Sequence, residues 1–257
     1  MELHLKDKLF VVGGATSGLG KAVVEALVSE NAKVIAIART AAKLEDLKKG
    51  SKLIETLEGD LSKEDTLNAI KNKIGGRQLS GVVINSGGPP AMPVMQTSLN
   101  DWDNAYKSVV RWKIALTQEL LPNMIADGYG RILFIESVST KQPVENLVLS
   151  NAMRLAVTGY VKTLSQEVGG SGVTLNILGP GYHATQRMEN LFTKSSQLMG
   201  LPLQVIRKKF ADQTAVKEIG DPKDFASLAL WLLSPYSRYI TGQTLTVDGG
   251  LVKGIMG

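Results

Sequence analysis

The run Phe10-Val11-Val12-Gly13-Gly14-Ala15-Thr16-Ser17-Gly18-Leu19-Gly20 constrains the fold more than any other part of this chain. A hydrophobic strand enters a glycine-rich turn, and the following residues Ala22, Val23, Ala26 and Leu27 recur at helical spacing. Gly14, Gly18 and Gly20 permit positive φ and remove the Cβ atoms that would bar a close-lying group, while the helix start offers unpaired N–H groups and a positive dipole end. A glycine triplet alone also arises as an ordinary strand-to-helix turn. Here strand, turn and amphipathic helix coincide, which is the context a pyrophosphate cradle requires.

The rest of the chain repeats the alternation of strand and helix. Val34–Ala38, Leu53–Leu57, Val82–Ile84, Ile132–Ile135, Val173–Ile177 and Thr244–Val247 read as strands. Between them, helical patterns cover Ala41–Lys49, about Lys63–Lys73, about Leu99–Ala126, about Asn151–Val168 and about Pro222–Leu233. Short β-rich runs separated by helices imply right-handed βαβ units. The expected fold is therefore α/β: a single Rossmann-type doubly wound parallel sheet with helices on both faces, in one domain over residues 1–257. In such a sheet the ligand crevice opens at the carboxyl ends of the strands. That collects the loops after Val12, Ala38, Leu57, Ile84, Ile135 and Ile177, which hold nearly every unusual residue of the chain.

An apolar share of 44% in 257 residues is ample for a large core. No run is long enough to span a bilayer, and Met1-Glu2-Leu3-His4-Leu5-Lys6-Asp7-Lys8 alternates charge with leucine rather than forming a secretory signal. A cytoplasmic protein without membrane partners is expected. The absence of cysteine excludes disulfides, thiol nucleophiles and thiolate metal sites, and no metal site is expected. The formal charge of +5 comes from scattered Lys and Arg, so nucleic acid is not an expected partner.

The spacing Gly14-xxx-Gly18-x-Gly20 resembles that of the short-chain dehydrogenase/reductase family, and the likeness continues along almost the whole chain. Asp60, followed by Leu61, resembles the family's adenine-contacting acid. Asn85-Ser86-Gly87-Gly88 is similar to its Asn-Asn-Ala-Gly turn, with two substitutions. Gly130-Arg131-Ile132 with Ser137 resembles the segment carrying the catalytic serine, and Pro180-Gly181 with Thr185 the motif beside the nicotinamide. Tyr239-Ile240-Thr241-Gly242-Gln243 and Val247-Asp248-Gly249-Gly250 resemble the C-terminal segment of β-ketoacyl-acyl-carrier-protein reductases. The resemblance implies that Gly14, Thr16, Ser17, Gly18, Leu19, Gly20, Asp60, Leu61, Asn85, Ser86, Gly87, Pro180, Gly181 and Thr185 line a dinucleotide site. At the tip of the second strand Ala38-Arg39-Thr40 places an arginine where NAD-preferring proteins carry an acid, so NADP(H) is the expected cofactor. Arg39 as a solvated strand-end residue is the alternative, and it leaves NAD(H) open.

The family's reaction uses a tyrosine, a lysine four residues later, a serine and an asparagine. Counted in register, the tyrosine position is Ser150, the lysine position Arg154 and the asparagine position Val109, so only Ser137 matches. The chain is similar to a β-ketoacyl-reductase-like subgroup with a Ser-Asn-x-x-Arg signature and a Gly-Gly-Pro turn. Ser150 and Arg154 are i and i+4 on one helical face, where a guanidinium can orient the serine or hold an oxyanion. Arginine cannot give up a proton near neutrality, and serine is a far weaker acid than a tyrosine of pKa about 10. A replacement acid or slow chemistry is expected. The candidates are Tyr182, with packing as the alternative, His183, with a solvated or hydrogen-bonded bystander as the alternative, and Glu136, whose side chain is expected on the opposite sheet face. Tyr160 is assigned to the core or an interface.

Residues of about 186–217 stand in the place of the family's variable substrate lid. There Met188, Leu191, Phe192, Leu198, Met199, Leu201 and Leu203 can line an apolar channel or pack as ordinary core. Lys194, Arg207, Lys208 and Lys209 can meet an acidic acyl carrier or coenzyme A thioester, or be a solvated rim. Two functions follow. One is an NADP(H)-dependent oxidoreductase acting on a small-molecule carbonyl or alcohol, with a 3-oxoacyl thioester as the narrower candidate and Ser137, Ser150 and Arg154 around the reacting oxygen. The other is a catalytically weak dinucleotide-binding sensor or partner subunit. The resemblance further implies a homodimer or homotetramer.

Overall fold

A computed structural model describes residues 2–255; Met1 of the N-terminal segment and the last two residues of the 1–257 span lie outside the described residues. The strands are β1 (Leu9–Gly13), β2 (Lys33–Ala38), β3 (Ile54–Glu58), β4 (Leu79–Ile84), β5 (Gly130–Ile135), β6 (Val173–Pro180) and β7 (Thr244–Val247). The helices are α1 (Gly18–Ser29), α2 (Ala41–Lys49), α3 (Glu64–Ile74), α4 (Leu99–Ala105), α5 (Trp112–Ala126), α6 (Val148–Glu167), α7 (Gln186–Met199), α8 (Leu203–Ala211) and α9 (Pro222–Leu233). All seven strands are parallel, in the order β3-β2-β1-β4-β5-β6-β7. The strand order reverses direction at β1 and β4, which is where a doubly wound sheet opens its crevice.

Alternation along the strands divides the core in two. Leu9 and Val11 of β1, with Ile132 and Phe134 of β5, pack on one face against Ile70 of α3, Leu116 and Leu120 of α5, and Val157 and Val161 of α6. Phe10, Val12, Leu133 and Ile135 point the other way, to Val23 and Leu27 of α1 and Phe225, Ala229 and Leu233 of α9. Strands buried on both faces explain why the sequence shows them as continuous apolar runs rather than as alternating ones.

β4 begins at Leu79, three residues before the expected Val82, and α6 at Val148, and two further elements differ in ways that bear on the site. The stretch from Leu99 to Ala126 is helical throughout, but Tyr106–Arg111 forms a π-helical segment between α4 and α5. The wider turn buries Val109 and Val110 and places Trp112 and Lys113 in the core. β6 runs three residues beyond Ile177, because Leu178, Gly179 and Pro180 keep pairing with Leu245, Thr246 and Val247 of β7. Pro180 lacks an N–H, and it sits at the strand's last residue, where one is not required.

At the end of the sheet remote from the crevice, Arg131 is 3% exposed and takes up its neighbour's carbonyl and two from distant segments. Its Nε donates to Ser234 O at 3.1 Å, and its Nη1 to Gly130 O at 2.9 Å and Gly172 O at 3.0 Å. The guanidinium lies 4.4 Å over the Tyr129 ring.

Candidate active site

The glycine turn has the conformation its composition demands. Gly14 and Gly18 have φ of 60° and 52°, which β-carbon-bearing residues rarely adopt. At Gly20 the constraint is space, since a Cβ would lie 2.3 Å from Gly14 O and 2.8 Å from Asn85 Nδ2. α1 begins at Gly18, and its N-cap Ser17 makes no side-chain cap bond. The first-turn amides of Gly18, Leu19 and Gly20 are therefore left for an outside acceptor. Thr16 is half-buried, Ser17 exposed, and Leu19 packs against the α1 side of the core.

Neighbouring loops close around this turn. Asn85 Nδ2 donates to Gly13 O at 3.3 Å, so its side chain braces the turn and does not face the crevice. Leu61 is buried, its Cδ1 2.8 Å from the position of a Cβ on Gly13, so only its backbone is left to meet a ligand. Ser86 Oγ donates to Gly87 O at 3.2 Å. Asp60 accepts from Ser62 N–H at 2.9 Å and Ser62 Oγ at 2.8 Å; these bonds, with a smaller contribution from Arg39, hold its carboxyl below the usual range. Arg39 and Thr40 are exposed, and Arg39 makes no hydrogen bond or ion pair among the described residues. Across the crevice, Thr185 caps α7 by accepting from Met188 N–H at 3.4 Å, and its Cγ2 lies 3.3 Å from where a Cβ on Gly18 would stand. Gly181 approaches so closely that a Cβ would lie 2.7 Å from Asp248 Cα, while its N–H donates to Val247 O at 2.9 Å. Free amides, cavity-forming glycines and an uncommitted arginine at the β2 tip together fit a dinucleotide with a 2′-phosphate.

A buried ionic network lies beyond the end of β5. Ser150 is 6% exposed, and its Oγ accepts from Arg154 Nε at 3.1 Å. Arg154 Nη1 donates to Glu136 O at 2.8 Å and Glu136 Oε2 at 2.9 Å. The other oxygen, Oε1, pairs with the Lys113 ammonium. Lys113 is 1% exposed; burial pushes its pKa down, Glu136 opposes that, and Arg154 adds to it. Ser137 is half-buried, its Oγ accepting from Ser139 N–H at 3.1 Å.

This corrects the expectation for Glu136. Its side chain lies on the same sheet face as Arg154, because it continues the phase of Ile132 and Phe134, which face α5 and α6. Tyr182 and His183 are committed elsewhere. The Tyr182 ring meets Phe210 edge-on at 5.0 Å and its hydroxyl donates to Gln213 Oε1 at 3.1 Å. His183 is 3% exposed, edge-on to Phe225 at 5.6 Å, and burial pushes its pKa down. Neither makes a hydrogen bond to Ser137, Ser150 or Arg154 among the described residues. Tyr160 packs against the α5–α6 side of the core. In the lid, Phe192 is buried against Phe210, Arg207 is paired with Glu189, and Lys208 lies 3.2 Å from Asp212. Leu198 and Met199 are exposed.

Sequence reasoning missed Lys113. Its signal was a charge in phase with Trp112, Leu116 and Leu120 on an apolar helix face.

With the crevice and the network in place, comparison with known proteins fixes the class. A family model described as "Enoyl-(Acyl carrier protein) reductase" matches residues 14–252, and the chain belongs to the short-chain dehydrogenase/reductase family of oxidoreductases. It is 29% identical over 256 residues to the 3-oxoacyl-[acyl-carrier-protein] reductase FabG of Vibrio cholerae, covering 97% of this chain and 99% of that one. It is 30% identical to the protein of the same name from Haemophilus influenzae, covering 96% and 99%. Among solved structures, a putative NAD(P)-dependent gluconate 5-dehydrogenase from Beutenbergia cavernae with bound NADP superposes with a TM-score of 0.88 at 26% identity, covering 99% of this chain and 100% of that one. L-sorbose reductase from Gluconobacter frateurii, complexed with NADPH and L-sorbose, shares the fold with a TM-score of 0.93 at 23% identity, covering 99% and 100%. No helix among the described residues is long and apolar enough to cross a membrane.

Proposed function

We propose that this chain transfers a hydride between NADP(H) and a carbonyl/alcohol pair, with Ser137, Ser150 and Arg154 around the reacting oxygen. The observation that carries the proposal is the single guanidinium that is anchored on Glu136 and also donates to Ser150 Oγ at 3.1 Å. The nicotinamide, when bound, supplies or accepts the hydride. The Gly18–Gly20 amides and the N-terminus of α1 hold the pyrophosphate, and Arg39 meets the 2′-phosphate. Because Ser150 Oγ accepts from Arg154, its own O–H is left to donate to an oxygen gaining negative charge, and Ser137 supplies a second hydroxyl. Arg154 stabilises that charge through Ser150.

Similarity to the FabG proteins makes 3-oxoacyl thioesters the first substrates to assay. The experiment follows NADPH consumption by absorbance with a panel of thioesters, ketones and oxo acids. Turnover that falls at least about 10²-fold in Arg154→Ala supports the assignment. NADPH binding without turnover on any member of the panel refutes it. That outcome would favour the sensor or partner role, for which the absence of a tyrosine at position 150 is the relevant observation. Arg39→Asp is expected to invert the preference for NADPH over NADH.

A further inference from the structure

We infer that Arg154 and Arg187 form a carboxylate clamp beside Gly88, and that the substrate is a 2-oxo or 3-oxo acid carrying its negative charge next to the carbonyl that reacts. This rests on the carbonyl/alcohol function proposed above and narrows it. A methyl group built on Gly88 would stand 3.1 Å from Arg154 Nη2 and 3.7 and 3.8 Å from Arg187 Nη2 and Nη1. Two guanidinium groups thus converge on one point where Gly88 leaves room.

Arg154 is buried, and buried cations are ordinarily paired; Arg187 is an exposed cation beside it. Glu136 is the carboxylate bonded to Arg154, and it is shared with Lys113. Arg187 makes no hydrogen bond or ion pair among the described residues. Glu189, two residues further along α7, is taken by Arg207. Arg187 also stands in the first turn of α7, where the helix dipole disfavours a cation and favours an anion. Its pKa is lowered by burial and by Arg154, which marks the two cations as repelling neighbours. An anion between them relieves that repulsion.

The orientation of Arg154 selects the kind of anion. Nη1 is used by Glu136 and Nε by Ser150, while Nη2 has no protein acceptor and faces Gly88. Nε and Nη2 share one edge of the planar guanidinium. A carboxylate at Nη2 and a carbonyl oxygen at Ser150 therefore lie side by side, as they do when one or two carbon–carbon bonds separate the two groups. Arginine pairs bidentately with carboxylates, so Arg187 provides the second arm.

The test compares pyruvate and acetoacetate with their methyl esters and with an acetoacetyl thioester, by NADPH consumption in the wild type and in Arg187→Met. Arg187 is exposed, so the variant is expected to fold. Free acids are expected to exceed their esters in kcat/KM by at least about tenfold, with the margin lost in Arg187→Met. Equal rates for acids and esters would overturn the inference while leaving carbonyl reduction intact. NADPH titration separates the other anionic source: an unchanged Kd in Arg187→Met supports a substrate clamp, and a weakened one assigns Arg187 to a cofactor phosphate and overturns it. A readout free of turnover uses malonate and malonamide as inert probes with saturating NADP+. Malonate alone is expected to raise Tm, and only where Arg187 is present. No such shift would sink the clamp, whereas a shift without turnover on any oxo acid would sink the hydride-transfer proposal instead.

Discussion

At the scale of single residues, the proposed function turns on Ser150 and Arg154. Restoring the usual pair, Ser150→Tyr with Arg154→Lys, tests whether this is an attenuated version of the family's site. A gain of roughly 10²–10⁴-fold in turnover is the magnitude that positioned acid–base help supplies. Loss of a robust activity would instead assign Ser150 and Arg154 to a working mechanism of their own. Glu136 is the residue whose removal should be most damaging, because Glu136→Gln strands two buried cations, Lys113 and Arg154. A loss of about 3–5 kcal/mol in urea unfolding is expected. With its carboxylate partner gone, the folded-state pKa of Lys113 falls further, and the unfolded chain then binds more protons. Stability of the variant should therefore recover as pH rises toward the ordinary lysine value, and adding Lys113→Met should restore part of it at neutral pH. His183 has the same sign in acid. Burial lowers its pKa against the opposing pull of Asp224, Asp221 and Asp248, so the wild type should lose stability as pH falls below about 6.5. His183→Gln should flatten that limb of the curve.

At the scale of elements, Gly20→Ala is the decisive test of the cradle. The new methyl would collide with Gly14 O, so either α1 shifts or the turn opens. The expected result is loss of the NADPH-induced rise in Tm, with far-UV circular dichroism retained. The helix from Leu99 shows what a one-dimensional pattern conceals. Its apolar residues announced a helix correctly at both ends, yet the π-helical turn at Tyr106–Arg111 came from tertiary demands: Trp112 and Lys113 must reach the core, and Lys113 must meet Glu136. No local signal in Tyr-Lys-Ser-Val-Val-Arg requires that turn. Glu136 was misplaced for a related reason. Its backbone stays in the ladder, the N–H donating to Leu178 O at 2.9 Å, and its side chain continues the phase of Ile132 and Phe134; alternation alone does not show that Lys113 and Arg154 reach that face.

For the whole molecule, the architecture was legible because each level agreed: buried parallel strands read as apolar runs, and the helices between them carried one apolar face. Ala41–Lys49, Pro222–Leu233 and Thr244–Val247 have the same bounds in the sequence reading and in the structure. The candidate site was legible where glycine spacing carried it, and illegible where charges from three elements, α5, the end of β5 and α6, meet only after folding. Since ligand that binds only the native state raises stability by mass action, NADPH should raise Tm more than equimolar NADH.

The Arg131 anchor separates two kinds of damage. It gathers carbonyls from three stretches of backbone at the pole opposite the crevice, and a methionine there would leave those oxygens without a donor. Such a lesion is expected to produce a heat-sensitive protein whose Michaelis constants at low temperature match those of the parent. Durability and chemistry would then be heritable traits that mutation can alter one at a time.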